Sequence, residues 1–185
     1  MTGATYPDLA GASVFITGGG SGIGAALTEG FCAQVARVAF VGRRDASAFC
    51  DAVAERTGNR PFFQPCDITD TEALRRAIAR AAEAHGPVTV LVNNAANDQR
   101  ARTLDIDEAF WDASMAVNLR SYFFAAQAVI PGMKAAGGGS IINFSSISYM
   151  MADTGYVPYI AANAAITGMT RTLAREFGPD RIRVN

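Results

Sequence analysis

Short, continuously apolar runs alternate with longer alanine-rich runs, and this alternation constrains the fold more than any other feature. Strands that are apolar on both faces lie between two layers, and intervening helices make them parallel. We therefore predict one α/β domain over residues 1–185, with a doubly wound, Rossmann-like parallel sheet. The domain is expected to be incomplete at its C-terminus, because the last strand stops abruptly. The predicted strands are 12–17, 37–42, 61–67, 88–94, 137–146 and a sixth that begins at "RIRVN".

Local signals set the limits of several predicted helices. Asp70 can cap the helix that begins with "TEAL", and Gly58 is expected to stop the preceding helix. Val35 stands where a glycine would usually close the first helix, so a β-branched residue at positive φ would be strained there. The predicted helices are 22–34, 45–58, the run after Asp70, a long region at about 107–135, and about 158–177.

Composition excludes several classes of function. The formal net charge is −1, from 16 basic and 17 acidic residues, which gives no reason to expect a nucleic acid or an anionic membrane as partner. There is no apolar run of about 20 residues and no secretory signal. Three scattered cysteines, Cys32, Cys50 and Cys66, are typical of reduced, buried thiols in a cytoplasmic protein. The single histidine, His85, is expected at a helix end on the surface, which argues against a metal site.

A glycine cluster separates the first predicted strand from the first helix. In "TGGGSGIG", Gly18, Gly22 and Gly24 allow a tight turn, a bare backbone for a pyrophosphate, and close packing of helix on strand. The N–H groups at the start of the helix would meet the phosphate charge. The spacing G-x3-G-x-G in this context predicts a nucleotide site.

Together with further motifs, this turn resembles the short-chain dehydrogenase/reductase family over essentially the whole chain. The matching segments follow in the family's order and at family-like spacing. They are "TGGGSGIG" (17–24), "CDIT" (66–69), "NNAA" (93–96), "VNL" (117–119), "INFSSIS" (142–148), a tyrosine thirteen residues after Ser146, and "RIRVN" (181–185). "NNAA" departs from the family's NNAG, since Ala96 replaces the last glycine.

The resemblance implies an oxidoreductase that binds NAD(P) and a small molecule. The catalytic positions it implies are Asn118, Ser146, Tyr159 and Asn163. In the family, the tyrosine moves a proton, the serine polarises the carbonyl, and a lysine four residues after the tyrosine lowers its pKa and binds the nicotinamide ribose. The cofactor-binding residues it implies are Gly18, Ser21, Gly22, Ile23, Gly24, Arg43, Asp67, Ile68, Asn94, Ala95, Tyr159 and Asn163.

The segment after the second strand favours NADP over NAD. A NAD-binding Rossmann protein usually presents an acid there, whereas this chain has Gly42 followed by Arg43 and Arg44. Arginine can pair with a 2′-phosphate through charge-assisted bonds. NAD remains possible, since both arginines could be solvated charges. Asp45 is expected to cap the next helix.

The lysine of the family's motif is replaced by Asn163. A free tyrosine titrates near ~10, and a nearby cation favours its ionised form, but asparagine carries no charge. Lys134 is the only lysine of the chain and lies near a different helix end. Three hypotheses stay open: an enzyme in which reduction survives better than oxidation, a dinucleotide-binding relative with a regulatory or scaffold role and little catalysis, or an incomplete fragment with neither role.

The sequence around the site is similar to that of bacterial aldose 1-dehydrogenases that act on xylose or arabinose. Asn97, Asp98 and Gln99 follow the fourth strand, where ligands bind in such sheets, and suit sugar hydroxyls, although they could simply form a polar loop. Tyr156 is a rival to Tyr159, but its spacing from Ser146 is shorter. The family's habit of pairing helices across subunits implies a homo-oligomer, a dimer or a tetramer.

Overall fold

The structure is a computed structural model that describes residues 4–185. Its six strands form one wholly parallel sheet in the order β3-β2-β1-β4-β5-β6. The predicted fold is confirmed. The strands are β1 (Ser13–Thr17), β2 (Arg37–Gly42), β3 (Phe62–Pro65), β4 (Val90–Asn93), β5 (Gly139–Asn143) and β6 (Ile182–Val184).

Helices cover both faces of the sheet, because the apolar side chains of each strand point alternately to opposite sides. Val14 and Ile16 of β1 pack with residues of the first two helices, whereas Phe15 packs with residues of the third and fifth. The helices are α1 (Gly22–Ala33), α2 (Ser47–Thr57), α3 (Thr71–His85), α4 (Glu108–Met115), α5 (Ser121–Ala135), α6 (Ser148–Met151) and α7 (Val157–Phe177).

Most predicted helix ends are found where the sequence placed them. The Asp70 carboxylate accepts the N–H of Ala73 at 2.9 Å, and Gly58 closes α2 with φ of 71°. The Asp45 carboxylate accepts the N–H of Ser47, the first residue of α2, at 3.2 Å. The caps at Asp70 and Gly58 are local, so local sequence was enough to predict them. The prediction that Asp45 caps α2 is wrong, because the N-cap position is Ala46 and no side chain caps this helix end.

The long helical region predicted at about 107–135 is confirmed, since 108–135 is helical throughout, but it contains a π turn, Ala116–Arg120, between α4 and α5. Two further predictions need correction. The fifth strand ends at Asn143 rather than near 146, and the loop after it contains the short helix α6. His85 ends α3 as predicted but is not a simple surface residue: its ring packs on Phe62, and its Nδ1 is buried without a hydrogen-bond partner in the described structure.

Val35 adopts the left-handed backbone conformation that its place at the end of the first helix predicts. Its φ is 63°, and its side chain is 66% exposed. The backbone still completes the helix end, since the N–H of Val35 donates to the carbonyl of Cys32 and the N–H of Ala36 to that of Phe31. A β-branched residue here gains little burial and carries the strain of a left-handed backbone.

The strand order reverses between β1 and β4, which places a crevice at the carboxyl ends of these two neighbours. The loops after β1, β4 and β5 all open on this edge. Among residues 4–185, no helix is both long and apolar enough to cross a membrane. The same residues contain no cluster of three histidine, cysteine or acidic side chains that could hold a metal ion.

Candidate active site

The glycine turn lies directly beyond β1 and leads into α1. Gly18 and Gly22 have φ of 70° and 53°, which glycine adopts without strain. A Cβ on Gly24 would collide with the carbonyl oxygen of Gly18 and lie 2.7 Å from Nδ2 of Asn94. The first turn of α1 carries no acidic residue, and the side chain of Ser21 does not cap it. The N–H groups at this helix end are therefore suited to an anion.

The end of β4 is fastened to the glycine turn by side-chain hydrogen bonds. The amide of Asn94 donates to the carbonyls of Thr17 and Gly18 at 3.0 and 3.3 Å. The hydroxyl oxygen of Thr17 accepts the N–H groups of Asn94 and Ala95 at 3.0 and 3.1 Å. These bonds hold the glycine turn and the segment after β4 in a fixed position relative to each other, beside the crevice where a cofactor would bind.

A second group of predicted residues lies beyond β2 and β3. Asp67 accepts the N–H and the hydroxyl of Thr69 at 2.9 and 2.8 Å. The Thr69 N–H is the main reason why the pKa of Asp67 is lowered, and the charge of Arg43 contributes as well. Arg43 is exposed near Asp67, whereas Ile68 is buried.

Asn118 holds the loop that follows β4. It lies in the π turn and is only 1% exposed. Its side-chain oxygen accepts the N–H of Asn97 at 2.8 Å, and its amide donates to the carbonyl of Asn97 at 2.9 Å and to the hydroxyl of Ser114 at 3.2 Å. Asn118, a predicted site residue, therefore bonds both backbone polar groups of Asn97, a residue predicted to contact the substrate. π turns are found frequently at functional sites.

The loop after β5 is joined to α7 by Ser145, a residue the sequence prediction missed. Its hydroxyl donates to the carbonyl of Asn163 at 2.9 Å. The neighbouring Ser146 is partly exposed, and its hydroxyl oxygen accepts the N–H of Ser148 at 3.2 Å. That bond leaves the hydroxyl hydrogen of Ser146 free to donate to a substrate oxygen.

Tyr159 lies in the first turn of α7 and is partly exposed. Its ring stacks on that of Tyr156, with 5.4 Å between the centroids and 23° between the planes. Tyr156, the rival candidate, is 6% exposed, and its hydroxyl donates to Asp153 at 2.9 Å. This hydrogen bond is the main reason why the pKa of Tyr156 is raised. The structure thus leaves Tyr159 as the more accessible of the two tyrosines.

Asn163 is 3% exposed, and its amide donates to the backbone carbonyl of Tyr159 at 2.9 Å. Lys134 pairs at 2.9 Å with Asp180, at the far end of α5, and so does not replace the missing lysine. A chain of bonds anchors α7 to the sheet: the amide of Asn93 donates to Asn143 at 2.9 Å, and Asn143 donates to Thr170 at 2.9 Å.

Other predicted residues near this edge are exposed. Asp98 and Gln99 are exposed, and the N–H of Gln99 donates to the side chain of Asn97 at 3.2 Å. Ile23 is 64% exposed at the start of α1. Polar residues at the ends of apolar strands, such as Thr17 in "FIT", are the signal that could have identified the missed anchors.

Comparison with known proteins gives consistent matches. A family model described as "short chain dehydrogenase" matches residues 12–185. The probable galactose dehydrogenase GalD of Rhizobium meliloti strain 1021 is 48% identical over 100% of this chain and 73% of its own length. The D-xylose 1-dehydrogenase of Caulobacter vibrioides strain NA1000 / CB15N is also 48% identical, with the same two coverages.

A solved structure gives the same picture of the fold. It is the crystal structure of a Sinorhizobium meliloti 1021 protein assigned to the short-chain alcohol dehydrogenases. It superposes with a TM-score of 0.90 at 35% identity, over 95% of this chain and 70% of that one.

Proposed function

The chain belongs to the short-chain dehydrogenase family, whose members are NAD(P)-dependent oxidoreductases, and from that premise we propose that it transfers hydride between NADP and a sugar-like alcohol or carbonyl. The observation that carries the proposal is the meeting of three segments at one edge of the sheet. The glycine turn follows β1, the Asn94 segment follows β4, and the loop with Ser146 follows β5 and is bonded to α7. The galactose and D-xylose dehydrogenases among the relatives support a sugar substrate.

The cofactor fits the residues present. Any side chain at Gly24 would close the gap between α1 and the turn, so the turn can bring bare backbone to a pyrophosphate. We assign the diphosphate to the backbone of Gly18, Ser21, Gly22 and Ile23, the adenine to the segment of Asp67 and Ile68, and the nicotinamide side to Asn94, Ala95, Tyr159 and Asn163. When bound, NAD(P) supplies the hydride acceptor or donor.

Arg43 sets the preference for NADP in this proposal. It is exposed beside Asp67, and no acid occupies the end of β2 where a ribose of NAD would be bound. A guanidinium can give a 2′-phosphate two parallel hydrogen bonds, which a hydroxyl cannot match.

Proton transfer is assigned to Tyr159. During oxidation its phenolate accepts the proton of the substrate hydroxyl as the carbon loses hydride, and during reduction its phenol returns that proton to the carbonyl oxygen. Ser146 donates its free hydroxyl hydrogen to the same oxygen. Asn118 acts through the loop at Asn97, which it holds against the site.

Asn163 makes the two directions unequal. A phenol is already protonated at neutral pH, so reduction needs no cation to prepare it. Oxidation needs the phenolate, which a neutral amide does not stabilise through charge. We propose that the kcat of reduction exceeds that of oxidation, and that Asn163 keeps a hydrogen-bonding role because its side-chain oxygen can accept the hydrogen of a ribose hydroxyl.

The polar loop at Asn97, Asp98 and Gln99 is proposed to contact sugar hydroxyls. The protein is further proposed to work in the cytoplasm as a homo-oligomer of two or four copies. Small exposed residues on α7, Ala164, Ala165 and Gly168, would allow close helix contact between subunits. Light scattering would test the assembly.

A paired turnover assay tests the function. Wild type and Asn163→Lys are given NADP or NAD with a panel of aldoses, and NADPH or NADH with the matching lactones and simple carbonyls. Turnover by wild type, faster with NADPH, is the expected result. Turnover by the lysine variant alone would instead support the hypothesis of a cofactor-binding relative with little catalysis. Absence of turnover by both, with cofactor binding retained, would end the catalytic proposal.

A further inference from the structure

Three side chains, Arg100, Asp153 and Tyr156, form a cluster that includes one of the two stacked tyrosines. We refer to it as the Arg100 cluster. The guanidinium carbon of Arg100 is 4.3 Å from the centroid of the Tyr156 ring. The Tyr156 hydroxyl donates to Asp153 at 2.9 Å, and the same carboxylate oxygen is 3.9 Å from a nitrogen of Arg100. Each member therefore contacts the other two, and the ring of Tyr156 is held both at its face and at its hydroxyl.

The cluster joins two loops that flank the site. Arg100 belongs to the loop after β4, whereas Asp153 and Tyr156 precede α7. The N–H of Ala101 also donates to the carbonyl of Gly155 at 2.8 Å. Because Asn118 grips Asn97 at the other end of the same loop, Arg100 lies between two fixed points.

Tyr159 rests on the residue that this cluster immobilises. Tyr156 is 6% exposed, and its ring is the stacking partner of Tyr159. The side-chain amide of Asn163 donates to the backbone carbonyl of Tyr159, so this hydrogen bond does not hold the Tyr159 ring. A tyrosine side chain has two rotatable bonds, so its hydroxyl keeps one position only if its ring is packed.

We propose that Arg100 and Tyr156 are positioning residues that fix the ring of Tyr159 for proton transfer. The inference rests on the proposed function for its catalytic consequence, but the fixed ring is a property of the protein alone. Arg100 acts through Tyr156 and does not need to touch the substrate. Misplacement of a reacting group by about 1 Å can cost on the order of 10²-fold in rate, so this support has a measurable effect.

The test that is independent of turnover uses fluorine NMR. The five tyrosines are replaced by 3-fluorotyrosine, and the Tyr159 signal is identified by its loss in Tyr159→Phe. The test variants, Arg100→Ala and Tyr156→Phe, both keep the two stacked rings. We expect the Tyr159 signal to shift and broaden in both, and Arg100→Lys to restore it. The signal of Tyr6, which is 58% exposed, serves as internal reference.

Arg102→Ala is the matched control, because Arg102 lies on the same loop and its side chain is 85% exposed beside Asp105. It should leave the Tyr159 signal unchanged. An unchanged Tyr159 signal in Arg100→Ala would overturn the proposal, as would an equal change in Arg102→Ala. Thermal unfolding of each variant distinguishes a local change from loss of the fold.

Kinetics then test the consequence. Arg100→Ala should lower kcat about tenfold or more while the KM for cofactor stays within about twofold, and Arg100→Lys should recover most of the loss. A kcat within twofold of wild type, despite a shifted signal, would overturn the positioning role. Failure of the proposed function is distinguishable: wild type would then show no turnover, while the NMR signals would still decide whether the cluster fixes Tyr159.

Discussion

The side-chain amide of Asn163 donates a 2.9 Å hydrogen bond to the backbone carbonyl of Tyr159, one turn earlier in α7. The two residues therefore share a helix face, as their spacing predicts. Asn163 is nearly fully buried, and this bond gives its side-chain amide a partner within its own helix. The position supplies polarity beside the tyrosine but no charge, and this distinction leads to the first prediction.

Asn163→Lys should raise the kcat of alcohol oxidation more than the kcat of carbonyl reduction. The KM values must then change to compensate, because the equilibrium constant fixes the ratio of kcat/KM in the two directions. An ammonium near Tyr159 favours its phenolate, which is the form that oxidation needs. We expect at least about a tenfold rise in kcat for oxidation, the lower range of general acid–base effects. Steady-state rates in both directions measure the ratio. Asn163→Met, similar in length but uncharged, should not reproduce it, and equal effects of both variants would contradict the explanation.

Gly24→Ala should weaken cofactor binding and destabilise the domain. Its Cβ would collide with the carbonyl of Gly18, so α1 must move away from the turn. We expect a loss of about 1–3 kcal/mol in the free energy of unfolding, as for an overpacked site. Gly30→Ala is the matched control in the same helix, since a Cβ there meets no atom within 4 Å. It should be stabilising by about 0.5–1 kcal/mol. Urea unfolding and fluorescence titration with NADPH measure both effects.

Arg43→Gln should reduce the affinity for NADP while leaving that for NAD nearly unchanged. The lost pairing with the 2′-phosphate should raise the KM for NADP about tenfold or more, which corresponds to about 1.4 kcal/mol. Arg60→Gln is a suitable control, because Arg60 is exposed and pairs with Asp51 on α2. A parallel loss for both cofactors would show that Arg43 supports the loop rather than the phosphate.

Val35→Gly should stabilise the protein. The left-handed backbone at φ of 63° is strained for valine, and the 66% exposed side chain loses little burial when it is removed. We expect a gain of about 1 kcal/mol in the free energy of unfolding, measured in urea. Ala33→Gly, within the last turn of α1, should do the opposite by about 0.5–1 kcal/mol. A loss of stability in Val35→Gly would mean that the left-handed residue is not strained.

His85→Phe should flatten the dependence of stability on pH in the acid range. Burial lowers the pKa of His85 from its ordinary 6.5, and the charge of Arg37 lowers it further. The folded protein therefore favours the neutral ring, so this part of the stability is present above pH 6.5 and is lost as pH falls through the lowered pKa. Because His85 is the only histidine, the variant removes all histidine titration. Free energies of unfolding from pH 8 to pH 5 should differ less in the variant than in wild type.

The sequence predicted what depends on local chemistry and on periodicity. The parallel sheet with helices on both faces follows from apolar strands that alternate with helices, and the caps at Asp70 and Gly58 follow from residue type alone. The stack of Tyr156 on Tyr159, and the bond from Ser145 to Asn163, could not be predicted in this way. They depend on the relative positions of loops that are separate in sequence, and the hydrophobic pattern of the sequence does not determine those positions. The π turn was missed because its residues have ordinary helix propensities.

The π turn at Ala116–Arg120 also limits how this segment could change in length. Removing one residue there would rotate α5 by about 100° relative to α4. Either the buried face of α5, with Tyr122 at 1% exposure, or the inward side chain of Asn118 would then point the wrong way. A single-residue deletion is therefore far more disruptive here than in an exposed loop whose side chains make no tertiary contact. The π turn therefore works as a spacer of fixed length, whose extra residue lets one continuous helix turn Tyr122 to the core and Asn118 to the loop after β4.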